Sequence, residues 1–153
     1  MVLNEYNKAE LLIKKKGEFI DKKTGMMMSP QQIKALEIEY RKEALKMLEK
    51  VMIINKKLDN ADLIYEGAVL IWNISLPFMC PQYRTAIIKP FEISVSLLEQ
   101  IDSIDHDLRT KMHLELAKMY FGNETMFIEV ESNIMKAIKL DPSIPLHKIN
   151  VKF

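Results

Sequence analysis

The stretch GAVLIWNISLPFMCPQYRTAIIKPFEISVSLLEQIDSIDHDLRTKMHLEL, residues Gly67 to Leu116, decides the fold class. It holds the apolar end of a helix over about 61–75, then a turn marked by Pro77 and Pro81. A second helix over about 81–101 carries Pro90 inside it, and Asp102-Ser103-Ile104-Asp105 caps a third. Along the first helix Leu63, Ile64, Val69, Leu70, Ile71, Trp72 and Ile74 lie nearly all round, which predicts neighbours on most sides. Gly67 costs that helix about 1 kcal/mol of propensity relative to Ala, and a close helix–helix approach accounts for it. Trp72 is expected in the core or between adjacent hairpins. Pro90 lacks an N–H and its ring crowds the carbonyl one turn back, so a kink or a split is expected there. The segment reads as antiparallel helices joined by short connections, an αα-hairpin stack.

The flanks extend this pattern. Ser29-Pro30 is a helix start, with Ser as N-cap and Pro at the first helical position. From there Ile33, Leu36, Tyr40, Ala44, Met47, Val51, Ile54 and Leu58 recur at spacings of 3 and 4, widened by Ile38, Leu45, Leu48 and Met52. Asp59-Asn60 breaks the run. After the Asp-rich cap, Leu108, Met112, Leu116, Met119 and Tyr120 form the inward side of a helix that Gly122-Asn123 stops. A last helix spans roughly 125–140 and ends at Asp141-Pro142. Residues 1–29 read as a short N-terminal helix over 3–16 followed by a linker containing Met26, Met27 and Met28; residues 143–153 read as a C-terminal tail. The hairpin domain is therefore 30–142.

Composition agrees. The chain has 153 residues, long enough for one domain with a real core, with 48% apolar and 28% charged residues. Only 4 Gly and 6 Pro accompany abundant Leu, Ile, Met, Lys and Glu, which favours helix over a turn-rich β fold. Residues 1–60 carry 13 basic against 9 acidic residues, and residues 61–153 carry 9 against 12. That asymmetry is too small to argue for nucleic acid and describes a solvated lysine-rich face. The longest apolar stretch, Gly67 to Met79, is interrupted by Asn73, Ser75 and Pro77 and falls short of the roughly 20 residues of a membrane span. The single cysteine, Cys80, excludes an intramolecular disulfide.

Catalytic grammar is missing. There is no Gly-rich phosphate loop, no paired-Cys motif and no nucleophile elbow. His106 and His113 share a helix face beside Asp102, Asp105 and Asp107, but residues seven apart lie about 10.5 Å apart along the axis, too far for one metal ion. The carboxylates instead suit a helix N-terminus. Cys80 has no sequence-local base and reads as a small buried residue. Asn73, inside an apolar helix, is expected to bond a turn carbonyl. No enzyme, cofactor or metal site is expected.

The last two helices resemble one tetratricopeptide repeat, with Leu114, Ala117 and Tyr120 in the first and Ala137, Ile138, Leu140, Asp141 and Pro142 closing the second. Small residues such as Ala117 and Ala137 let helices approach closely, and Pro142 ends the unit. The turn from Phe121 to Phe127 is longer than a regular repeat has. The segments GAVLIWNISLP, YRTAIIKP, LLEQIDS, LRTKMHLELAK and AIKLDP, in that order, resemble the cilia- and flagella-associated protein 46 family. The clearest likeness covers Ala61 to Lys118. Members of that family are very large axonemal proteins rich in tetratricopeptide-like repeats, within a projection on the C1 microtubule of the central pair. The chain is accordingly expected to be a fragment or short relative that kept one module.

The resemblance implies an all-α, tetratricopeptide-like (α-solenoid) array acting as a non-catalytic scaffold in the cilium or flagellum, involved in motility. Its implied partners are other axonemal proteins of the central-pair projection, with indirect tubulin contact, and neither nucleic acid nor membrane. The alternative is a soluble cytosolic tetratricopeptide-like adaptor holding a peptide. Lys111 and Lys118, seven apart on one helix, are its candidate partner-binding residues together with Asn73.

Overall fold

The computed structural model describes residues 27–121 and 124–144. The expected helix over 3–16, most of the linker, the Gly122-Asn123 stop and most of the tail lie outside the described residues. Among those described, the regular structure is entirely helical: α1 (Pro30–Leu58), α2 (Ala61–Ser75), α3 (Ile88–Gln100), α4 (His106–Tyr120) and α5 (Phe127–Leu140), with 3₁₀ turns at Leu76–Phe78, Arg84–Ala86 and Glu124–Met126.

Local chemistry sets the boundaries. Ser29 and Gln32 form a reciprocal capping box at the start of α1, ahead of Pro30. At its other end Asp59 adopts a left-handed backbone (φ 50°) and its N–H reaches Asn55 O and Lys56 O. The next residue, Asn60, already caps α2: its Oδ1 accepts from Leu63 N at 3.0 Å. Two residues thus end one helix and begin the next. Asp105 does the same work for α4, accepting from Leu108 N at 2.9 Å.

Each helix packs antiparallel on its successor, and α1 also reaches α3. Arg41 Nη1 donates to Ile74 O (3.2 Å) near one end of the α1–α2 pair, and Asn55 Nδ2 donates to Leu63 O (3.3 Å) near the other. Trp72 stacks on Phe91 across α2–α3, with ring centroids 5.8 Å apart. Tyr120 donates to Glu92 across α3–α4. The α4–α5 contact is the most extensive. One continuous core runs through all five helices, with Leu48, Met52, Ile71, Phe78, Phe91, Leu98 and Met112 fully buried.

Two expectations are corrected. Pro90 neither kinks nor splits a helix. Residues 81–87 form a turn and a 3₁₀ segment, α3 begins at Ile88, and Pro90 lies in its first turn, where an α-helix N–H has no intrahelical partner to lose. The stripe of α1 is rotated. Ile38, Leu45, Leu48, Met52 and Asn55 are its buried line, joined by Ala44 and Val51, while Ile54 and Leu58 face outward. Trp72 is half-buried, and its partner Phe91 is the fully enclosed ring. Gly67 is buried on α2, as a close approach requires, and Ala117 and Ala137 are fully buried. Because His113 lies opposite Asn133, the antiparallel register places Ala117 and Ala137 toward opposite ends of the α4–α5 seam. Pro142 follows α5 on the surface.

Candidate interaction surfaces

The residues expected to hold a peptide stand on two helices, Lys111 and Lys118 on α4 and Asn73 on α2. Lys111 is tied to Asp107 one turn back on α4, and Lys118 Nζ lies 2.6 Å from Glu115 Oε1. Both cations are therefore met by carboxylates of their own helix, in pairs of the kind worth only a few tenths of a kcal/mol. Asn73 is exposed on α2, a helix that packs on α1 and α3, and it bonds neither lysine. Among the described residues, the expected bond from its amide to a turn carbonyl is not formed. Cys80 is half-buried, with Sγ 3.6 Å from Pro77 O.

His106 and His113 lie two turns apart on α4, and their surroundings differ. His106 is exposed in the first turn of α4, whereas His113 is 1% exposed between α4, α3 and α5. Among the described residues, no group of three His, Cys, Asp or Glu side chains is placed to hold a metal ion. No described helix is long and apolar enough to cross a membrane.

Two features went unread in the sequence. The first is a polar network around His113. Its Nδ1 lies 2.8 Å from Asn133 Oδ1, and Asn133 Nδ2 donates to Glu129 O, also at 2.8 Å. Its Nε2 lies 3.1 Å from Glu99 Oε1, and Lys136 Nζ lies 3.0 Å from that oxygen and donates to Glu99 Oε2 at 3.2 Å. Burial pushes the imidazole below its ordinary value, against the opposing pull of Asn133 and Glu99. The signal was available: His113 sits beside Met112, one turn from Leu116, on the inward arc of α4.

The second is apolar. On α5, Phe127, Ile128 and Met135 are 58%, 79% and 61% exposed, and only Val130 and Ala137 are fully buried. On the last turns of α1, Ile53, Ile54 and Leu58 are also exposed. The first and last described helices therefore both present apolar side chains outward. A cleft of about 600 Å³ is lined by Ala61, Asp62 and Tyr65 of α2 and by residues 101–105. Tyr65 donates to Asp105 Oδ2 at 2.9 Å on its wall, and that bond raises the pKa of the phenol. No protein-family model and no curated protein matches this chain.

Proposed function

We propose that this chain is a non-catalytic structural module whose hairpins stack as a tetratricopeptide-like array and scaffold a C1 projection of the ciliary central pair. The observation that carries the reading is the outward apolar face of α5, where Phe127, Ile128 and Met135 lie open beside a seam that is otherwise well packed. An array of hairpins extends by covering such a face with the next helix. The antiparallel order of all five helices, and the reach of α1 past α2 to α3, are compatible with it. The ordered segments from GAVLIWNISLP to AIKLDP supply the ciliary assignment. Partners are other axonemal proteins of that projection, with tubulin contacted indirectly.

The second reading, a cytosolic adaptor, rests on Lys111 and Lys118, each in a weak pair within its own helix, and on Asn73 of α2. The deciding experiment tags the endogenous protein and images ciliated cells after detergent extraction. Signal retained along the axoneme axis is the expected result. Complete loss into the soluble fraction would overturn the scaffold and leave the adaptor.

A further inference from the structure

His113 is a titratable group sealed beneath α5, which buries only two residues, Val130 and Ala137, against six or seven on each other described helix. The amide of Asn133 is oriented by its bond to Glu129 O, so its Oδ1 must accept from His113, and Nδ1 carries the proton. Nε2 is then a lone pair, 3.1 Å from Oε1 of Glu99, a carboxylate that also pairs with Lys136. A second proton would place a cation in a site 1% exposed, beside the Lys136 ammonium. Glu99 on α3 favours that cation. Lys136 on α5 opposes it, and Glu129 on α5 and Arg109, one turn back on α4, are the next charged groups. Glu99 Oε1 would meet that proton, but a sealed cation loses its water, so the imidazole takes the proton more readily where the site opens. Of the two covering helices, α5 holds fewer buried residues than α3. It fully buries two side chains, lacks a side-chain N-cap, and exposes three large apolar residues.

We infer that α5 is an acid-releasable helix, which undocks from α4 as His113 takes up a proton. The sign follows from the buried neutral imidazole. Above the ordinary value of 6.5 neither the docked nor the undocked state carries the second proton, and docking is at full strength. As pH falls below 6.5 the undocked state is protonated first, so docking weakens. Release would uncover the α4 side of the seam, including Ala117 and Leu116, to a competing helix.

The test is hydrogen exchange on the full chain between pH 7.5 and 5, read as opening constants for α5 amides against those of α1. The expected result is an α5 opening constant that rises below pH 6.5 by up to about tenfold per pH unit, with α1 flat. The rise should vanish in His113→Asn and persist in His106→Gln. An α5 opening constant that stays level, or a rise that survives in His113→Asn, overturns the inference. Should His113→Asn fail to fold, the wild-type imidazole titrated by NMR decides. Titration below 6.5 supports the inference, and titration at or above 6.5 overturns it.

Discussion

Truncating Phe91 tests the α2–α3 seam most directly. The ring is fully buried and lies against Trp72, the single tryptophan of the chain. A buried aromatic side chain removes roughly 150–200 Å² from water, worth about 4–5 kcal/mol at ~25 cal/mol/Å². Ala retains part of that, while the cavity left behind adds to the loss, so Phe91→Ala should cost about 3–5 kcal/mol. Trp72 is only half-buried, so Trp72→Ala should cost less, about 2 kcal/mol. The stacked rings should couple by about 1 kcal/mol in a double-mutant cycle. Equilibrium urea unfolding followed by circular dichroism reads these values. With a denaturant slope of about 2 kcal/mol/M, the Phe91→Ala midpoint should fall by about 2 M. The fluorescence of Trp72 should shift to the red in the same variant. A midpoint change below about 0.5 M, or no coupling, would refute the packing of α2 on α3 through this pair.

Pro90→Ala separates a first-turn proline from an interior one. The buried ring should be missed by about 1 kcal/mol, whereas an interior kink would make the variant more stable by about 3 kcal/mol; thermal or urea unfolding distinguishes the signs. Asp59→Gly relieves a left-handed backbone at φ 50° and should raise stability by up to about 1 kcal/mol, provided the chain keeps the α1 C-cap bonds; an unchanged or lower urea midpoint would contradict this. Asp141 accepts from both the Ser143 hydroxyl (2.6 Å) and its N–H (2.9 Å), and these bonds hold its carboxyl below the ordinary 3.8. Its contribution is present above that value and fades as pH falls toward the depressed one. Ser143→Ala should move the NMR-detected titration of Asp141 upward, since the hydroxyl bond is the larger cause.

Helix existence and order were readable because they rest on local signals. Ser29-Pro30, Asn60 and Asp105 announce helix starts through side-chain caps, and the apolar periods of α1 and α4 announce their lengths. The phase of α1 was not readable. Its apolar residues cover an arc wider than one neighbour can bury, and only the placement of α2 and α3 selects Leu45, Leu48 and Met52 over Ile54 and Leu58. Pro90 misled because a helix interior and a first turn differ only by where the preceding turn lies. That turn, residues 81–87, carries Pro81 but no capping side chain. The candidate lysines were spaced for one helix face, but spacing does not say whether Asp107 and Glu115 have already taken them. His113 was legible as inward-facing. Its partners were not, since Glu99, Asn133 and Lys136 come from two other helices.

The junction between α1 and α2 has a consequence for how this chain tolerates change in length. Asp59 and Asn60 each perform a terminal task, and no spare residue separates them. An added residue there would displace either the left-handed cap or the bond from Leu63 N, and would rotate α2 relative to Arg41 and Asn55. The α2–α3 connection is different: Pro81 and Gln82 are exposed, and neither caps a helix. Epitope tags, new termini and inherited insertions belong at 81–82, where the fold can lengthen without losing its register, and the 59–60 junction is where length is fixed.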